Sequence, residues 1–191
     1  LIHGAAGGLG LAAIQIAKAL RTTVIATVNS RKKRDIAMRY GADFVVDTRS
    51  ADWVKEVLDL TPAKRGADVV LDPLGLISPS LACTAWNGRL VVIGFAAGSI
   101  ERIPMNRVLL KNVSIAGLFW GRYQDMEPQM VTAVWDALLG LIREGKLRPT
   151  VYTEERFNGL QAVPAAMLCV QNGTAWGKVV VTVTQHAGSK L

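Results

Sequence analysis

Ten residues at the start of the chain, Leu1-Ile2-His3-Gly4-Ala5-Ala6-Gly7-Gly8-Leu9-Gly10, constrain its fold more than any other stretch. They read as the end of an apolar strand, a turn of small residues and the first turn of a helix. Small residues let the backbone approach a diphosphate, and the free N–H groups of a helix N-terminus donate to its oxygens. Gly7 and Gly8 supply the close approach, Leu9 opens the helix beside them, and Gly10 lets the helix pack tightly on the strand. The glycines run G-x-x-G-x-x-G at Gly4, Gly7 and Gly10, with Ala5 standing where the commoner G-x-G-x-x-G pattern has its first glycine. Three strand-like residues are few for a central buried strand. The chain therefore reads as a piece whose first strand begins further upstream.

Beyond the turn the same alternation of strand and helix recurs. Short apolar, β-branched runs occur at 23–27, 43–46, 67–72, 89–94 and 113–118, as expected for strands buried on both faces. Helical patterns fill 8–20, 30–40 and 50–60, and a longer one spans 127–144, where Pro128 is tolerated in the first turn. A break at Pro149 precedes a further helical pattern at 158–171 and a last strand at 178–184. Alternation at this spacing implies βαβ units with right-handed crossovers: a doubly wound α/β, Rossmann-type parallel sheet. Trp53, Trp86 and Trp135 sit on helical patterns and are expected in the core.

The second strand is where such sites choose their nucleotide. An acid about 20 residues past the turn accepts from a free ribose 2′-hydroxyl. Here the stretch is Ala26-Thr27-Val28-Asn29-Ser30-Arg31-Lys32-Lys33-Arg34, without an acid and with four consecutive cations. Cations at a helix N-terminus oppose its dipole, by roughly several tenths of a kcal/mol each. A bound anion would offset that cost, so the pattern points to a 2′-phosphate and hence to NADPH. The chain's formal net charge of +7 also suits an anionic ligand. Nucleic acid is not the expected partner, because no aromatic interleaving or nucleic-acid motif accompanies the basic run. Cys83 and Cys169 read as small buried hydrophobes, and with His3 and His186 they offer no metal-ligand spacing. No apolar run approaches the ~18 residues of a membrane span.

The chain resembles the cofactor domain of the medium-chain dehydrogenase/reductase superfamily, in its zinc-independent quinone oxidoreductase (zeta-crystallin-like) branch. The segments that carry the likeness are 2–10, Tyr40-Gly41-Ala42-Asp43, 66–75, 88–95, 110–121 and Gly177-Lys178-Val179-Val180, in one colinear order. The resemblance implies hydride transfer from NADPH to a quinone or another α,β-unsaturated carbonyl compound. It implies that Gly8 and Leu9 lie against the diphosphate, with Asn29, Ser30 and Lys33 facing the 2′-phosphate and Thr48 nearby. Leu74, Phe95, Ala96, Leu118, Phe119 and Trp120 would line the nicotinamide and its ribose, and Lys178 matches a family lysine near the cleft. Two positions depart from the family: a tyrosine common beyond Asp47 is Thr48, and a basic residue before Gly177 is replaced by Gly173.

The same resemblance divides the chain into a cofactor domain over 1–149, a segment over 150–184 that returns toward a barrel-like substrate domain, and a tail over 185–191. It implies no metal, a homodimer, and little activity for this piece alone. No residue declares itself as the proton donor; Tyr123 and Lys178 are within reach of the role. The terminal Ser189-Lys190-Leu191 matches the address read by the peroxisomal import receptor, with a cytoplasmic location as the alternative. Two other activities fit the same residues: reduction of a 2-enoyl thioester such as an acyl-CoA, and, from a different class, a crystallin-like structural or RNA-binding role.

Overall fold

A computed structural model describes residues 1–183. The element order is α1 (Gly8–Ala19), β1 (Ile25–Val28), α2 (Arg31–Arg39), β2 (Phe44–Asp47), α3 (Trp53–Asp59), β3 (Ala67–Asp72), α4 (Ile77–Ala82), β4 (Thr84–Val92), α5 (Met105–Lys111) and β5 (Ser114–Gly117). The chain continues through α6 (Tyr123–Met126), α7 (Pro128–Arg143), β6 (Phe157–Asn158), α8 (Val163–Gln171) and β7 (Val181–Thr182). The tail 185–191, with the Ser189-Lys190-Leu191 tripeptide, lies outside the described residues, as does Thr184.

Among the described residues every strand pairing is parallel. β1 pairs with β2, and β3–β4–β5 form a second set. Ile2 joins the two by parallel bridges to Ala26 and Leu71. Its N–H donates to the Ile25 carbonyl and its carbonyl accepts from Thr27 N–H, each at 2.9 Å, while His3 N–H donates to the Leu71 carbonyl at 3.0 Å. The order across the sheet is thus β2–β1–(Ile2)–β3–β4–β5. Strand order changes direction at Ile2, and such a switch point opens a crevice at the carboxyl ends of the strands.

Adjacent strand residues point to opposite faces, and the two faces carry separate cores. Ala26 and Val45 pack with Leu11 and Ile14 of α1 and Ile36 and Ala37 of α2. Their neighbours Ile25 and Val46 pack on the other side with Trp53 and Val57 of α3 and Leu81 of α4. A fully buried leucine or isoleucine such as Leu11 or Ile14 contributes about 2 kcal/mol. Tyr152, Phe157, Ala166, Cys169 and Trp176 join the α1–α2 core, so the chain beyond Pro149 lies against the first helix pair.

Several expectations are corrected. β4 reaches back to Thr84, so Trp86 lies on a strand and is exposed, not core. Trp135 lies on α7 as expected but faces outward, whereas Trp53 is buried. The helix expected from residue 158 begins only at Val163, after β6 and a short 3-10 turn. α4 and α5, at six and seven residues, carry too little periodicity to be read in advance.

Candidate functional site

The crevice is built first by the glycine turn. Ala5 N–H donates to the Thr27 carbonyl at 3.0 Å and Gly7 N–H to Gly4 O at 3.0 Å, which fixes the turn to β1. Gly4 adopts a left-handed conformation, φ +57°, and Leu74 packs over it. Gly10 is buried; a Cβ there would stand 2.5 Å from Ala5 Cα and 2.6 Å from Gly4 O. Gly10 thus serves the packing of α1 onto the turn. Gly7 and Leu9 are exposed and Gly8 is half-buried, so the mouth of α1 faces out. The first-turn N–H groups of a helix have no partner within it, and α1 has no acid in its first turn to occupy them.

Over this mouth lies Lys178. A Cβ on Gly8 would meet Lys178 Cε at 2.5 Å, so the lysine stem lies directly against this glycine and would have to shift to admit a side chain there. Lys178 is delivered there by backbone alone: Gly177 N–H donates to Ala6 O at 2.9 Å, Lys178 N–H to Thr150 O at 2.7 Å, and Lys178 O accepts from Tyr152 N–H at 2.9 Å. The returning strand therefore forms one rim of the glycine turn.

A second rim comes from α2. Ser30 caps it, its hydroxyl accepting from Lys33 N–H at 3.3 Å, and Asn29 stands exposed before it. Thr48 hangs beside them, its hydroxyl donating to Val28 O at 3.2 Å. The four cations are not equivalent. Lys32 pairs with Glu154, and Arg34 donates to the Val45 carbonyl at 2.7 Å. Lys33 is half-buried, and burial pushes its ammonium pKa down. A nearby dianion would reverse that penalty.

The third rim is a pair of loops past β3 and β4. Asp72 is wholly buried; its Oδ1 accepts from Leu74 N–H at 2.8 Å and Gly75 N–H at 2.9 Å, while Oδ2 has no partner. Burial raises its pKa against the pull of those N–H donors. Ala96 N–H donates to Pro73 O and Ala97 N–H to Leu74 O, both at 3.0 Å, so the two loops are tied together. Phe95 leans on Gly75, where a Cβ would stand 2.8 Å from the ring. Leu118 N–H donates to Val92 O at 2.9 Å at the carboxyl end of β5. Beyond it Phe119 is 76% exposed, and Trp120 stacks on Tyr123 with ring centroids 5.5 Å apart. Neither aromatic belongs to the core.

The structure thus gathers Gly7, Gly8, Leu9 and Lys178 at one point, and Asn29, Ser30, Lys33 and Thr48 at the end of β1. Leu74, Phe95 and Ala96 form a zipped loop pair, with Leu118–Trp120 at the end of β5. Sequence reasoning missed three participants. Asp72 carried a visible signal, an acid closing an apolar run before a Pro-x-Gly turn. Glu154 and the buried set around His3 carried none, since their partners are far away in sequence. His3 Nδ1 lies 2.8 Å from Thr27 Oγ1 and Nε2 2.8 Å from Ser80 Oγ, with Trp53 edge-on at 5.5 Å. Burial lowers its pKa to about 4, so the ring is neutral.

Residues 8–136 match the family described as zinc-binding dehydrogenase. The quinone oxidoreductase-like protein 2 of Bos taurus is 36% identical over 186 residues, covering 96% of this chain and 52% of that protein. The solved quinone oxidoreductase of Escherichia coli complexed with NADPH superposes with TM-score 0.82 at 26% identity, covering 95% of this chain and 56% of that one. An enoyl reductase, CurK, gives 0.78 at 29% identity over 96% and 54%. An NAD-dependent alcohol dehydrogenase gives 0.80 at 31% over 96% and 50%. The chain belongs to the zinc-binding dehydrogenase family, and within the medium-chain dehydrogenase/reductase superfamily it is quinone oxidoreductase-like and covers the cofactor domain. It spans about half the length of the curated relatives it matches.

Two groups are implied by that membership, a zinc ion and a dinucleotide. Among the described residues no three His, Cys, Asp or Glu side chains stand together as a metal set. Cys83 and Cys169 are buried in separate cores. The described residues do not fit a zinc ion. A dinucleotide does fit: the open mouth of α1, with no acid in its first turn and the Lys178 stem beside it, suits a diphosphate. Among the described residues no helix is long and apolar enough to cross a membrane.

Proposed function

We propose that the chain is the cofactor-binding part of an NADPH-dependent oxidoreductase that passes hydride to a quinone or another α,β-unsaturated carbonyl compound. The observation that carries this reading is the pairing of the acid-free α1 mouth under Lys178 with the half-buried Lys33 at the acid-free end of β1. The dinucleotide supplies the hydride. Gly8 and Leu9 N–H groups and the Lys178 ammonium hold the diphosphate, and Gly7 and Gly10 keep the turn compact beneath it. Asn29, Ser30 and Lys33 receive the 2′-phosphate, with Thr48 bordering the adenosine side. Leu74, Phe95, Ala96 and Leu118 wall the nicotinamide end, and Phe119 and Trp120 shield it from water. Catalysis here is positioning of donor and acceptor at near-attack distance with water excluded. An electron-poor acceptor needs no metal activation.

In this reading residues 1–149 form the cofactor domain, and the segment 150–184 returns toward a further domain that closes the substrate cleft. The NADPH-complexed Escherichia coli relative supports the choice of cofactor, while the NAD-dependent neighbour makes it the point to test. Fluorescence titration of the complete protein with NADPH and NADH does so. Lys33→Ala is expected to weaken NADPH about tenfold, worth ~1.4 kcal/mol, and to leave NADH nearly unchanged. Equal losses for both nucleotides would overturn the assignment. A second reading, reduction of a 2-enoyl thioester, is favoured by the likeness to the CurK enoyl reductase. Turnover of a quinone against a trans-2-enoyl-CoA separates the two.

A further inference from the structure

The cations past β1 are divided by an acid that the returning segment brings from far along the chain. Lys32 is bound by the Glu154 carboxylate, and Trp176, itself buried, donates its indole N–H to the other oxygen, Oε1, at 3.0 Å. Trp176 in turn packs edge-on against Tyr152 and tilts against Tyr40, with centroids 5.9 and 6.2 Å away. Glu154 is thus an anchored charge and not a freely moving surface acid. The Lys32 hydrogen bond holds its carboxyl below the usual glutamate range, so it is ionised at neutral pH. It stands one lysine stem away from the first turn of α2, inside the ~10 Å over which charges still act on one another at 0.1 M salt.

We propose that Glu154 is a specificity-determining residue, an anchored negative charge that sequesters Lys32 and limits how strongly the crevice prefers a 2′-phosphorylated dinucleotide over its unphosphorylated counterpart. The proposal rests on the dinucleotide reading of the crevice. Four basic residues suggest a strongly cationic pocket, but Lys32 is neutralised and Arg34 is engaged by the Val45 carbonyl. Arg31 and Lys33 remain to meet a dianion. Glu154 repels that dianion directly and also withholds Lys32 from it. A ligand without the 2′-phosphate has no charge at this position and is indifferent to both effects.

Three variants of the full-length protein test this by titration with NADPH and NADH at 50 mM and 500 mM NaCl. Glu154→Gln keeps an oxygen for the Trp176 indole while removing the charge. It is expected to tighten NADPH about threefold to fivefold at low salt, with NADH unchanged and the gain lost at high salt. Lys32→Gln removes the ammonium paired with Glu154, leaving Arg39 to offset its charge only in part, and is expected to weaken NADPH by a similar factor. The double variant removes both charges and returns to the wild-type ratio, a pattern of opposite signs that a merely structural role for the pair would not produce. The proposal is overturned if the NADPH-to-NADH affinity ratio of Glu154→Gln equals that of the wild type, or if Lys32→Gln shifts both nucleotides alike. The two readings fail separately. A wild type blind to the 2′-phosphate with a selective Glu154→Gln variant overturns the NADPH preference and keeps Glu154 as its restraint. A selective wild type with an unaltered Glu154→Gln variant removes Glu154 alone.

Discussion

Residues 1–90 and residues 91–149 use the same alternation of helix and strand and end in opposite conditions. The first stretch encloses both faces of its sheet, with Leu11, Ile14, Val57, Val70, Leu81 and Leu90 wholly buried. In the second only Val113 is buried. α7, the longest helix, buries nothing, and Trp135, Leu139 and Ile142 form an outward apolar stripe along it. Past it, α8 and β7 border an apolar groove of about 530 Å3 lined by Val163, Met167, Val170 and Val181. One stretch is saturated, in part by side chains that return from beyond Pro149. The other leaves Trp135, Leu139 and Ile142 exposed, in a chain about half as long as its relatives.

The contrast can be broken most sharply at a glycine of the saturated stretch. Gly10→Ala pushes a Cβ into Ala5 Cα and Gly4 O, both backbone, and is expected to destabilise by at least about 3 kcal/mol in urea denaturation. Acid is the next largest probe. The buried neutral His3 has its pKa lowered to about 4 against an unfolded value near 6.5. Its contribution is whole above pH ~6.5 and falls as the unfolded chain takes up the proton, by about 3 kcal/mol at pH 4. A denaturation series from pH 7 to 4 should show that slope, and His3→Phe should flatten it. Smaller, and of opposite sign, is Gly140→Ala on α7, where nothing beyond the neighbouring backbone of the helix lies within 4 Å of the added methyl. It should stabilise the chain by ~1 kcal/mol, the helix-propensity difference. Smallest is Trp135→Gln, expected to shift the melting free energy by less than about 0.5 kcal/mol. A large loss there would show that α7 is held by contacts of its own.

The saturated stretch was the legible one. Gly4 to Gly10, the β-branched runs and the Ser30 cap are local signals, each within a few residues, and the parallel sheet emerges from their alternation. The same local signals misplace Trp86 and Trp135. Val131, Val134 and Leu138 already satisfy one apolar face of α7, and periodicity alone cannot tell which of two apolar stripes a helix turns inward. The site was legible where backbone carries it, at Gly8 and Ser30, and less so where distant side chains meet. Glu154 reaches Lys32, and Gln15 exchanges hydrogen bonds with the backbone of Arg148 at 3.0 and 3.2 Å, across separations that leave no periodic trace. Lys32 makes the point at one residue: four cations in a row look like a single patch until the fold hands one of them to an acid.

The bridges made by Ile2 have a mechanical corollary. The peptide groups of Ile2 bond to β1 and those of Leu1 and His3 to Leu71 of β3, while the very next residues form the glycine bend. Whatever grips that bend also bears on the strand segment that lies between β1 and β3. Occupancy of the crevice is therefore linked to cohesion of the sheet, and amide exchange at Thr27 and Leu71 should slow together when a dinucleotide is seated.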